Sequence, residues 1–357
     1  LALRMENVLE LMLLSYAFYM LSFLFYFLSP TFTWLILPTI LFAFGDAFRT
    51  GTHKAMIFEY LSIRGWQHAK VTYYGHTRSW SQTGSAISSL IAAFLVLIDS
   101  NLNTIFIYSL FPYTLGFILL ASYPAHLNGD RRTEFRFRSL LNAFGVVFRN
   151  SFREILKPAK ARLLINVGSL SGFYFAARDY LQVFLSAAVI GIPLVYSETR
   201  STQDAEIMLI GMVYFILYFV TASASRLSGK VHAYFKTTFQ FLNTSLGIGL
   251  LVAAGAGIFN RFGVHVAAIL LFLIVLALEN LRRPAGIAAI ADRFERNVLA
   301  SVLSVESQLS ALLGAVLSFV IGLIADRVGP GYGLTIAAGV ILLAYPFLIV
   351  KKKKQTA

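Results

Sequence analysis

GDAFRTGTHKAMIFEY, residues 45–60, continues an apolar run that begins near Thr31 and sets acidic, basic and imidazole side chains where lipid is expected. Wound at 100° per residue, Asp46, Arg49, Thr50, His53 and Lys54 fall within one arc of about 140°, while Phe48, Ala55 and Phe58 lie elsewhere on the helix. The charges therefore share a face. A charged side chain at the bilayer centre costs roughly 2.5–3.5 kcal/mol on insertion scales, so that face must look onto other helices or a water-filled cavity. The stretch reads as cavity wall.

The rest of the chain fits that setting. Hydrophobic residues make up 57% and charged residues 13% of the 357, with a mean hydropathy of +0.71. Soluble domains carry roughly 25% charged residues, so this composition predicts an integral membrane protein. Mostly apolar runs of spanning length occur near 9–29, 31–60, 80–98, 103–123, 161–190, 206–224, 237–259, 263–290, 298–324 and 333–350. The expected fold is all-α, with about ten spans.

The net charge of +13 raises the question of nucleic acid, but the basic residues gather in alternate loops, which argues against such a partner. One side receives Arg64 and Lys70, the arginines and lysines from Arg131 to Lys160, Arg226, Lys230 and Lys236, then Arg293, Arg296 and Lys351 to Lys354. Opposite loops hold little beyond Arg200, Arg261 and Arg327. The positive-inside rule then places both ends of the chain in the cytoplasm, in a plasma or bacterial cytoplasmic membrane. With no cysteine, thiolate metal sites and redox chemistry are not expected. His53 and His76 fall on different spans and show no ligand spacing, so neither metal nor cofactor is predicted.

Along the chain, His76 and Arg78 open a polar stripe continued by Ser81, Ser85 and Ser88, and small residues from Gly84 to Ser89 suit close helix packing. Residues 125–160 form an arginine-rich linker with amphipathic spacing between Phe135 and Ile155. The next span holds Gly168 and Gly172, read equally as an interruption or as packing glycines, and then Arg178 and Asp179. Glu279, Arg282 and Arg283 share an arc of about 100° before a break at Pro284-Ala285-Gly286, and Glu306 sits inside a later span.

Aligning Asp46 with Glu279 also aligns Arg49 with Arg282 and Ala55 with Ala288; aligning Gly84 with Gly314 sets His76 on Glu306; and LLASYP at 119–124 answers LLAYP at 342–346. Three weak matches in one order predict an internal duplication. Four spans precede the linker and six follow it, and the first span corresponds to the third of the later half, which reads as two spans missing at the front. The predicted organisation is an N-terminal half at 1–124, a linker at 125–160, a C-terminal half at 161–350 and a basic tail at 351–357.

With two repeated halves joined by a basic loop, the chain resembles the major facilitator superfamily from the family's third helix to its twelfth, an N-terminally truncated likeness. GLIADRVG at 322–329 has the form of the family's gating motif, through Gly322, Asp326, Arg327 and Gly329, but in an outer-loop position before the last helix. Residues 296–318 look like the family's eleventh helix, whereas Arg49-Thr50-Gly51 only approximates its fourth-helix arginine motif. The resemblance implies a helical bundle with two pseudo-repeated halves and a substrate bound midway between them.

The function expected is a secondary transporter that moves a small organic or amphipathic solute by alternating access, with proton-coupled export as the direction. Asp46, Arg49, His53, Arg78, Arg178, Asp179, Glu279, Arg282 and Glu306 are the predicted path residues. Static ion pairs are an equal reading for Asp46 with Arg49 and for Glu279 with Arg282. Alternatives are a transporter-like sensor, a non-functional truncated homologue, or a polytopic transferase with His53 or His76 as base. The expected partners are a small-molecule substrate, protons and membrane lipid, with the chain a monomer.

Overall fold

The structure is a computed structural model that describes residues 8–29, 31–99, 103–123, 153–189 and 202–351. Its described residues form ten long helices and no strand: α1 (Val8–Leu28), α2 (Ile36–Ile63), α3 (Lys70–Ile98), α4 (Thr104–Ala121), α5 (Pro158–Val189), α6 (Thr202–Ala233), α7 (Thr238–Arg261), α8 (His265–Arg293), α9 (Arg296–Val328) and α10 (Pro330–Leu348). Nine of them, all but α5, are long and apolar enough to cross a membrane, as befits a multi-pass membrane protein. Most of the linker predicted at 125–160, and the tail beyond Lys351, lie outside the described residues.

Helix ends follow local chemistry. Thr237 caps α7 by accepting a hydrogen bond from Gln240 N at 3.1 Å, which satisfies one of the free N–H groups of the first turn. Between α9 and α10, Gly329 adopts φ +98, a conformation that side chains other than glycine avoid, and Pro330 opens the next helix with a fixed φ. The gating-like motif is therefore not a loop. Gly322, Asp326 and Arg327 belong to the last turns of α9, where Asp326 and Arg327 are exposed, and only Gly329 lies outside it.

The structure decides between the two readings of the α5 glycines and removes the break expected at Pro284. The α5 helix runs unbroken through Gly168 and Gly172, and the glycine is there for packing. A Cβ on Gly172 would lie 2.6 Å from Leu313 Cβ, and one on Gly314 would lie 2.9 Å from Phe175 Cβ. Likewise α8 continues through Pro284. Proline has no N–H for the carbonyl four residues back, and that carbonyl, Asn280 O, is supplied instead by Ser225 Oγ of α6 at 3.2 Å. By contrast Gly84, expected at a tight helix contact, meets nothing within 4 Å; on α3 that role falls to Gly75, whose Cβ would sit 2.5 Å from Ser225 O.

The chain divides into two compact units. Among the described residues the first holds α1, α2, the end of α3 from Phe94, α4 and Ala291–Val305; the second holds the remainder of α3, α5 to α8 as far as Ile290, α9 from Glu306 and α10. In the first unit α1 packs on both α2 and α4. In the second, α7 packs on α10, and both touch α5 around a core that includes Leu170, Phe173, Leu250, Phe272 and Leu334. The end of α10 is held by side chains. Asn243 Nδ2 donates to Val350 O and its Oδ1 accepts from Val350 N, each at 3.0 Å, while Asn166 Nδ2 donates to Leu348 O at 2.9 Å.

Candidate functional site

In the first unit the α2 charges meet aromatic side chains from α1. Arg49 Nη2 donates to Asp46 Oδ1 at 3.2 Å, Tyr19 donates to the same carboxylate oxygen at 3.1 Å, and Arg49 Nε donates to the Tyr19 hydroxyl at 3.0 Å. The guanidinium also lies 5.7 Å from the Tyr19 ring centre, within cation–π range. Tyr19 can approach because Gly45 faces it across the helix contact. The predicted Asp46–Arg49 pair is thus real, and it is half-exposed, at 44% and 47% of the two side chains. It borders a recess of about 130 Å³ lined by Tyr16, Tyr19, Arg49, Pro112 and Tyr113. His53 lies one turn along, half-buried, and Lys54 is buried.

The second unit holds a different arrangement, fully enclosed. Arg283 of α8 forms a two-pronged bond to Glu306 of α9, with Nη1 at 2.8 Å from Oε1 and Nη2 at 3.1 Å from Oε2. Glu306 Oε1 also accepts from Ser310 at 3.1 Å. On its own helix Arg283 Nη1 stands 3.8 Å from Glu279 Oε1, and Ser171 of α5 links the two by accepting from Arg283 and donating to Glu279 at 2.5 Å. No more than 7% of any of these three charged side chains is exposed, and Glu279 Oε2 is buried with no hydrogen-bond partner. Two carboxylates thus compete for one guanidinium, in surroundings where an unpaired charge is expensive.

The expected Glu279–Arg282 pair does not form. Arg282 points about 100° away from Arg283, and its donors go to the carbonyls of Leu242 and Val167, at 3.3 and 3.2 Å, and of Asn166, at 2.8 Å, and to the Asn166 side chain. It is a buried structural fork joining α8 to α5 and α7. The base partner of Glu279 and Glu306 is its neighbour, Arg283.

Next to this cluster, Asn280 Oδ1 accepts from Arg78 Nη2 at 2.9 Å and from Arg78 Nε at 3.3 Å. Gln82 Nε2 approaches the same oxygen at 3.4 Å, while Gln82 Oε1 is buried and unpartnered. The polar stripe on α3 thus reaches α8 through Asn280. Arg178 is half-buried one turn beyond the buried Tyr174, and the Asp179 side chain lies outside the described residues.

Asn280, Ser171 and the three tyrosines were missed in sequence. The tyrosines had a signal: Tyr16, Tyr19, Phe23 and Tyr26 recur at three- and four-residue steps, one aromatic stripe along α1. Tyr113 of α4 packs against the first three.

Comparison with known proteins adds no identity: no protein-family model matches the chain, and no curated protein matches it in sequence.

Proposed function

We propose that the chain is a secondary active transporter of the major facilitator type, moving a small organic or amphipathic solute by alternating access. The observation that carries this reading is the enclosed Glu279–Arg283–Glu306 set inside helices apolar enough to span a bilayer. Ionisable groups inside membrane-spanning helices are costly and are candidates for pathways and proton relays, and a buried pair is in itself weak support for stability. A carboxyl oxygen with no donor beside an arginine shared by two acids is the arrangement a proton would change. With Glu306 protonated, Arg283 is released toward Glu279.

The internal duplication lends further support. In its register α1 corresponds to α7 and α4 to α10, and within the two units α1 packs on α4 as α7 packs on α10. Both ends of the chain are assigned to the cytoplasm, and the direction to export against inward protons; solute accumulation by expressing cells would overturn that direction.

The chain contains no cysteine, so single cysteines report without background. Ser81→Cys and Ser88→Cys, on the face of Arg78, should each react with an impermeant maleimide in right-side-out and in inside-out vesicles. Reaction from one face alone in both variants would refute alternating access.

A further inference from the structure

The recess in the first unit is chemically distinct from the buried set in the second and has no part in the proton argument. Three hydrogen-bond donors line it without partners among the described residues. Arg49 uses Nε on Tyr19 and Nη2 on Asp46, which leaves Nη1 uncommitted. The Tyr16 and Tyr113 hydroxyls make no hydrogen bond to any described residue, although their rings are held firmly: Tyr16 lies over Gly116, and the two rings pack at 5.6 Å. Asp46 is adjacent but does not line the recess. One of its oxygens is already taken by Arg49 and Tyr19. The surface offered to a visitor is thus one cationic edge, two phenol donors and aromatic faces.

We infer that this recess binds the oxyanion head, a carboxylate or phosphate, of a molecule whose remaining body is apolar. A guanidinium edge recognises such a head by charge-assisted hydrogen bonds and tyrosine supplies donors on an otherwise apolar wall; at about 130 Å³ the recess is smaller than a typical small-molecule site and has room for a head alone. Two sources supply this chemistry, a soluble organic anion and an anionic lipid headgroup. Asp46 opposes either through its negative charge, so its removal should favour binding.

The test uses the full chain in phosphatidylcholine nanodiscs, with benzoate, benzamide and benzylamine as probes and thermal stability and calorimetry as readouts. Benzoate should bind, whereas the neutral and cationic analogues should not. Arg49→Gln should weaken benzoate by about tenfold or more, Tyr16→Phe with Tyr113→Phe by roughly several-fold, and Asp46→Asn should tighten it, since bonds to a charged group are worth about 1.5–3 kcal/mol. Opposite effects from neighbouring charge deletions would not follow from a purely structural role. If phosphatidylglycerol in the disc displaces benzoate in an Arg49-dependent way, the headgroup is the natural occupant; if it does not, the occupant is a soluble anion. Equal binding of benzylamine, unchanged benzoate affinity in Arg49→Gln, or no Arg49-dependent effect of either anion would overturn the inference. Cysteine accessibility in α3 is read separately, so a chain that alternates yet ignores both anions loses this site and keeps its transport reading.

Discussion

Arg283 on α8 grips Glu306 on α9 at 2.8 Å, across 23 positions of sequence, with both side chains removed from the surface. Removing one member of such a pair strands the other in a medium that cannot solvate it. Glu306→Gln should therefore destabilise the detergent-purified protein by about 3–5 kcal/mol, and the double variant Arg283→Gln with Glu306→Gln by clearly less than the sum of the singles. Thermal melts of the four proteins give the coupling directly. Strict additivity would deny that the pair acts as a unit.

Arg282 does a different job from its neighbour. Its donors meet main-chain carbonyls of α5 and α7, so Arg282→Lys keeps the charge and loses the planar fork. A loss of roughly 2–4 kcal/mol is expected, from buried acceptors left unsatisfied at about 1–3 kcal/mol each. Alternating access should persist in whatever fraction stays folded. A melting temperature equal to that of the parent would remove Arg282 from its structural role.

The Ser225 hydroxyl stands in for the N–H that Pro284 lacks. Ser225→Ala should cost about 1–3 kcal/mol by orphaning Asn280 O, and Pro284→Ala in the same background should restore much of it by returning the helical donor. If Pro284→Ala gives no rescue, the proline and serine are not linked as argued.

Two glycines separate packing from propensity. Gly172→Ala drives a methyl into Leu313 Cβ and should destabilise by about 1–3 kcal/mol. Gly84→Ala meets open space and should be neutral or stabilising by up to about 1 kcal/mol, the helix preference of alanine over glycine. Equal effects at the two sites would contradict the packing described.

Hydropathy alone placed the ten described helices, because a long apolar run leaves few other readings, although α5 falls short of the apolarity of the other nine. Helix ends were harder: α3 starts at Lys70, ten residues before the expected apolar onset, since Tyr74 and Gly75 bury against other helices despite the polar residues around them. The sequence also gathered Asp46 with Arg49 and Glu279 with its arginines by angle. It did not separate Arg282 from Arg283, because two adjacent positions differ only in which neighbouring helix they face, and that is decided by α5, α7 and α9. The recess was hidden for a similar reason, as Tyr113 comes from a helix some sixty residues away from Arg49.

The Asn243 clasp on Val350 gives the end of the chain a mechanical property. A helix that merely stopped at Leu348 would fray from its last turn when pulled. Here the segment leaving α10 is pinned on both its N–H and its carbonyl by a side chain of α7, so tension applied beyond Lys351 loads a second helix before the first can unwind. A reporter or tether fused to this end is therefore mounted on two helices at once and should report motions of the α7–α10 pair as one piece.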